Sequence, residues 1–139
     1  MNAVDTNVLT YAIDQREPEK SRIAQALLDR LIHEWPETGL PWQVAGEYLR
    51  YLRSEEARGR LLAGSTRFLM ETTRTSFSLS LPRPQVLDVA LDLAARYSLS
   101  HRDGMLVAAC LVSGVDTHYT EDMGAPRAVD QLALVNPFA

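Results

Sequence analysis

Residues 1–14 read MNAVDTNVLTYAID, and the fold class turns on how this stretch is parsed. A short apolar run, Ala3–Val4, carries a strand signal. It stops at Asp5 and the polar pair Thr6–Asn7, and apolar residues resume at Val8 and continue to Ile13 as a helix. An acid between a strand and a helix is either a surface turn residue or a ligand at a strand end, and the opening alone does not choose. The alternation recurs downstream. Pro18 suits a first helical turn, and Ile23, Leu27, Leu28, Leu31 and Ile32 follow at helical spacing. Trp35–Pro36 through Gly39 reads as a break, and Leu40–Pro41 as a short strand. A second helix carries Val44, Tyr48, Tyr51 and Leu52; a third carries Leu61, Leu62, Phe68 and Leu69. SFSLSL at 76–81 alternates at the period of a strand. Pro84 opens a helix running to about Tyr97, and Ser100 another running to about Ser113. His118–Tyr119 and Leu132 to Val135 are the last strand signals.

Strands alternating with helices imply an α/β protein with a mainly parallel sheet and helices on both faces. No internal repeat, low-complexity tract or linker interrupts the chain, so one domain over residues 1–139 is expected. In such sheets ligands gather beyond the carboxyl ends of the strands, which gives Asp5 an address.

Composition narrows the function classes. Hydrophobic residues make up 46% and charged residues 23% of the 139, an ordinary globular balance. No apolar run approaches the ~20 residues that span a bilayer, and the start lacks a signal-peptide pattern. Cys110 is the one cysteine, which excludes a disulfide framework and a cysteine-rich zinc site. A cytoplasmic protein without a membrane partner is expected. The net charge of −4 excludes a basic nucleic-acid coat. Even so, Arg50, Arg53, Arg58, Arg60, Arg67 and Arg74 crowd one segment, opposed there only by Glu55, Glu56 and Glu71. Such a run is a solvated helix face or a phosphate-binding one.

The acids stand where acids are costly. In WQVAGEYLRYL (42–52), Val44, Glu47, Tyr48 and Tyr51 share one helix face, and that face is apolar. An ionised carboxylate there needs an arginine partner, an edge position open to water, or a metal ion. In LSHRDGMLVAAC (99–110), steps of three, four and seven from Asp103 reach Leu106, Val107 and Cys110, another apolar stripe. Ser100 and Asp103 also resemble a capping box with Asp in place of Glu. In THYTEDMG (117–124), Glu121 and Asp122 follow a strand as Asp5 follows its own. Each acid alone is a turn or cap residue; their joint placement is what suggests a site.

Taken in order, DTNVL, the helical Glu47, SHRDGMLVAAC, YTEDM and the terminal VNPF resemble a PIN-domain protein of the VapC toxin group, over essentially the whole chain. The resemblance implies a twisted parallel sheet flanked by helices, and acids that bind Mg²⁺ or Mn²⁺ to cleave RNA. Asp5, Glu47, Asp103 and Asp122 match the acidic quartet, Thr6 and Thr120 hydroxyl positions near it, and Asn7 a supporting polar residue. Glu121 competes with Asp122 for the inward position. Gly104 departs from the small apolar residue usual after the third acid, and glycine loosens a helix start by up to ~1 kcal/mol. A homodimer and a cognate antitoxin covering the acidic pocket are also implied.

Converging carboxylates without a cation repel one another and raise at least one pKa. A hard divalent ion removes that penalty and makes bound water a better nucleophile. Asp5 and Asp103 are the expected direct ligands. Glu47 and Asp122 are expected to hold metal-bound water or a second ion, with Glu47 as base. An acidic pocket needs basic flanks to take an RNA backbone, and Arg50 and Arg53 are the nearest in sequence to Glu47. The rival readings are a PIN-fold RNA-processing nuclease without a toxin role, and a non-catalytic RNA- or protein-binding module. Asn7 stands where an aspartyl-nucleophile phosphatase needs its second acid, and no glycine-rich phosphate loop occurs. His33, His101 and His118 read as surface or partly buried residues, Cys110 as core, and Trp35, Trp42 and Phe68 as core or interface.

Overall fold

Ala3 and Val4 are wholly buried, and the strand they form has neighbours on both sides. The structure, a computed structural model, describes residues 1–34 and 38–139. In chain order the elements are β1 (Asn2–Val4), α1 (Thr6–Ile13), α2 (Pro18–His33), β2 (Thr38–Pro41), α3 (Trp42–Ala57), α4 (Ser65–Ser76), β3 (Ser78–Ser80), α5 (Gln85–Arg96), α6 (His101–Val112), β4 (Thr117–Tyr119), β5 (Arg127–Val129) and β6 (Leu132–Val135). The strands form one sheet in the order β3-β2-β1-β4-β6-β5. Every pairing is parallel except that of β5 with β6. This is the expected α/β architecture.

The chain runs outward from β1 through β2 to β3, then returns to place β4 on the other side of β1. Strand order therefore reverses between β1 and β4, and the crevice at their carboxyl ends is where such sheets bind ligands. Register keeps those ends level: Asn2 pairs with Thr117 and Val4 with Tyr119. The sheet continues one residue further, since the Asp5 amide donates to the Tyr119 carbonyl at 2.9 Å.

The helical stripes bury as their spacing requires. Leu27 and Leu31 on α2, Val44, Tyr48 and Leu52 on α3, and Leu106, Val107 and Cys110 on α6 all enter one core with Leu40, Leu132 and Leu134 of the strands. Several expectations fail. Leu61 and Leu62 precede α4 rather than belonging to it; Gly59 and Gly64 take positive φ (75° and 90°), conformations that interrupt a helix and delay its start to Ser65. Leu62 and Phe68 are exposed, as is Trp42, so none of them is core. Trp35–Pro36 lies outside the described residues, and Gly39 belongs to β2 rather than to a break. SFSLSL yields only Ser78–Ser80 as strand, because α4 continues to Ser76. The hairpin strand β5 was not foreseen: it is short, follows Gly124 and Pro126, and has no apolar alternation to announce it.

Leu106 is fully buried one turn beyond Asp103, whereas Leu91 on α5 is 73% exposed. Leu106→Ala is expected to lower unfolding free energy by about 2–5 kcal/mol, and Leu91→Ala to stay within about 0.5 kcal/mol, both read from urea denaturation midpoints.

Candidate active site

Asp5 ends β1 and serves as the N-cap of α1, its Oδ1 accepting from the Thr6 amide at 2.7 Å. The carboxylate is completely buried. Its other oxygen, Oδ2, accepts from the Thr120 hydroxyl at 2.8 Å, and Thr120 follows β4 next door. The two strands flanking the switch point thus clamp one acid from either side. Asn7, on the first turn of α1, donates through Nδ2 to Asp122 at 3.1 Å and to Thr120 at 3.4 Å. Its Oδ1 is buried with no partner among the described residues.

Glu47 comes to the same crevice from α3, with its side chain one-third exposed at the edge of the apolar face. The Thr6 hydroxyl donates to its Oε2 at 3.2 Å, and Gln43, one turn earlier, to its Oε1 at 3.3 Å. Asp103 enters from the first turn of α6, whose N-cap Ser100 accepts from the Asp103 amide at 3.1 Å. Asp5, Thr6, Asn7, Glu47, Asp103 and Asp122 line one open cleft, along with Arg102.

Arg102 was missed in the sequence. Its guanidinium stands among the acids: Nη2 donates to Asp5 Oδ1 at 2.9 Å and to Glu47 Oε2 at 2.7 Å, Nε to Glu47 Oε1 at 3.1 Å, and Nη1 to Asp103 Oδ1 at 3.0 Å. The arginine partner considered for Glu47 therefore exists, but it comes from α6 rather than from the helix of Glu47 itself. No signal in the SHRD stretch announces it, because adjacent residues on a helix point in different directions, and Arg102 lies outside the arginine-rich run.

With this cation present, the upward pKa shift expected of carboxylates without one does not occur at Asp5. Burial pushes the Asp5 carboxyl up, but His118 and the Arg102 guanidinium outweigh it and hold it well below the ordinary 3.8. His118 is not a surface residue. It lies fully buried on β4 with Nε2 3.8 Å from Asp5 Oδ2, because His118 stands two residues before Thr120 and so turns to the same buried face of the strand. Burial opposes the imidazolium, yet Cys110 and Asp5 flank the ring and push its pKa up to about 9. Burial likewise opposes the Arg102 charge, and Glu47, Asp5 and Asp103 outweigh it to raise that pKa above its usual value.

The remaining expected residues divide. Glu121 turns away from the acids, accepting from the Tyr11 hydroxyl at 2.6 Å and from Lys20 at 3.0 Å. Phe138 of the terminal stretch packs edge-on against Tyr11, with ring centroids 5.1 Å apart. Asp122 is the member of the pair that borders the cleft. Arg50 lines an adjoining cleft with Arg58 and Arg60, sharing Thr6, Glu47 and Tyr51 with the acid site; Arg53 is exposed and does not line it.

The donors are oxygens throughout, which fits a hard divalent cation, and the unpartnered Asn7 Oδ1 adds a neutral one. As arranged around Arg102, however, no three His, Cys, Asp or Glu side chains among the described residues group closely enough to hold a metal ion.

A family model described as PIN domain matches residues 3–129. No curated protein matches the chain. Among solved structures, a toxin–antitoxin complex from Klebsiella pneumoniae is similar at 16% identity and a TM-score of 0.68, covering 99% of this chain and 98% of that one. FitAcB from Neisseria gonorrhoeae is similar at 20% identity and 0.67, covering 99% of each. VapC20 of Mycobacterium tuberculosis, a Sarcin-Ricin loop cleaving toxin, is similar at 17% identity and 0.60, covering 89% of this chain and 92% of that one.

The Asp5 pKa, lower in the folded chain than its unfolded 3.8, makes stability depend on pH in the acid range. The contribution of ionised Asp5 is fully present above the unfolded value and is lost as pH falls toward the folded one. Asp5→Asn protein is therefore expected to lose less stability than wild type between about pH 5 and about pH 2, measured by denaturant unfolding without added metal.

Proposed function

The chain belongs to the PIN-domain family, and on that premise we propose that it is a divalent-metal-dependent endoribonuclease acting as the toxin of a type II toxin–antitoxin pair. One observation carries the reading: Asp5, Glu47 and Asp103, from three separate elements, all hydrogen-bond one cationic group at the strand-order reversal. Carboxylates from remote parts of a chain share a cation only where the fold has built a place for positive charge. The toxin assignment draws on the toxin–antitoxin relatives of the same fold.

Asp5 and Asp103 are the residues proposed to hold Mg²⁺ or Mn²⁺. Bound there, the ion supplies a lowered pKa for water and screening of the phosphodiester charge. Glu47 Oε2 is positioned by the Thr6 hydroxyl and accepts the proton of the water that attacks phosphorus. Asp122, oriented by Asn7 Nδ2, would hold water or a second cation. Thr120 keeps Asp5 turned inward. The RNA backbone is proposed to run through the adjoining cleft, where Arg50, Arg58 and Arg60 offset the repulsion of the acids. A cognate antitoxin and a second copy of the chain are the further proposed partners. Exposed Phe68, Leu87 and Leu91 are apolar surface suited to such partners. Among the described residues, no helix is long and apolar enough to cross a membrane.

Asp5→Asn is expected to reduce Mg²⁺- or Mn²⁺-dependent cleavage of an RNA substrate by more than about 100-fold, with chelator abolishing the wild-type rate and added metal restoring it. A wild-type rate in the variant, with contaminating nuclease excluded, refutes the assignment. Arg50→Glu and Arg58→Glu are each expected to weaken RNA binding and to reduce the salt slope of log Kd by about 1; an unchanged affinity across a salt series removes the arginine cleft from the path.

A further inference from the structure

Arg102 occupies carboxylate oxygens that a metal ion in this crevice would also use. Arg102 consumes Asp5 Oδ1, both oxygens of Glu47 and Asp103 Oδ1 at 2.7–3.1 Å. Asp5 and Glu47 share its Nη2, and Asp103 takes Nη1. A hard divalent ion needs carboxylate oxygens at about 2.0–2.1 Å, and no suitable trio is closed among the described residues. Meanwhile three carboxylates face one monovalent group, so the negative charge of the crevice is only partly offset. The guanidinium is no buried fixture: its side chain is 36% exposed and lines the open cleft. It rides on the first turn of α6, on a long stem that can swing while Asp103 stays anchored by its capped helix start.

Resting on the metal-dependent nuclease reading, we propose that Arg102 is a place-holding cation. It and a divalent ion occupy the same carboxylates in turn, and the guanidinium released by the ion binds the phosphodiester of the substrate. Exchange solves two problems with one side chain. Without metal, the guanidinium prevents the acids from repelling one another. Once displaced, it stays beside the crevice as a planar donor fork matched to a phosphate. Because it must be displaced, the apparent metal affinity is the intrinsic affinity multiplied by the fraction of molecules in which the guanidinium has left the acids. The guanidinium keeps its charge at neutral pH, so it remains a phosphate-binding group after it is displaced.

Calorimetric titration with Mn²⁺ of the full chain tests the exchange, with circular dichroism confirming that each variant folds. Arg102→Gln is expected to bind Mn²⁺ about tenfold more tightly than wild type, and Arg102→Lys to an intermediate degree, since one ammonium replaces the fork. Should Arg102→Gln not fold without metal, Arg102→Lys carries the comparison. In a parallel NMR titration with Mg²⁺, the Arg102 Nε–H resonance, identified by its absence in the variants, is expected to lose its protection from solvent as metal saturates wild type. A protected resonance at saturating Mg²⁺, or Mn²⁺ affinity in both variants equal to or weaker than wild type, overturns the exchange. In the presence of Mg²⁺, Arg102→Gln is also expected to bind a 2′-O-methyl oligoribonucleotide, which resists cleavage, roughly tenfold more weakly; undiminished binding overturns the phosphate role. If neither wild type nor either variant binds Mn²⁺, the metal-dependent reading itself fails and takes this inference with it, an outcome distinct from metal binding that ignores Arg102.

Discussion

Carboxylates gathered into one crevice repel each other, and the cleft of this protein exists because positive charge is delivered into it. Asp5 is wholly buried at the end of the central strand, and burial alone raises a carboxyl pKa. Arg102 from the front and His118 from beneath reverse that effect. Glu47 and Asp103 are drawn to the same guanidinium. The ion pairs thus tie the end of β1, α3 and α6 together where strand order reverses.

The sheet supplies the rigidity. Level register between β1 and β4 brings Asp5 and Thr120 side by side, so the hydroxyl can fix one carboxylate oxygen while the helix amide of Thr6 fixes the other. Both acids on helices stand in or beside capped or hydrogen-bonded turns: Asp103 under Ser100, and Glu47 between Thr6 and Gln43. Gln43 also donates to the Arg102 carbonyl at 3.1 Å, which links α3 to the start of α6 directly. Side chains held this way keep their direction even where they reach a solvent-open cleft.

The periphery is divided by sign and polarity. Glu121, neighbour of the site acid Asp122, is taken out of the crevice by Tyr11 and Lys20, and Phe138 closes over that cluster. The terminal stretch therefore packs the outer wall of the acid cleft. The arginines of α3 and the loop after it border an adjoining cleft that shares Thr6, Glu47 and Tyr51 with the acids, with Arg60 partly neutralised by Glu55 at 3.0 Å. An acidic centre with a basic flank can draw a polyanion past it without being flooded by phosphate.

The sequence alone determined the alternation of strands and helices, the buried stripes of α2, α3 and α6, and the positions of Asp5, Glu47, Asp103 and Asp122 relative to their own elements. Those features are local: a period of 3.6 or 2, a cap, an acid after a strand. It went wrong at α4, where positive-φ glycines outweighed the apolar residues before them, and was silent on β5, whose pairing depends on a partner strand. It also misplaced His118, since burial on a three-residue strand depends on what packs across it. Only the tertiary structure decided which carboxylates share a cation, and that the cation belongs to Arg102. Adjacent residues on a helix point in different directions, so nothing in the pair Arg102–Asp103 announces that a long guanidinium will reach back across α6 to the end of β1. That meeting is a distance between elements far apart in the chain, and the folding of the sheet sets it.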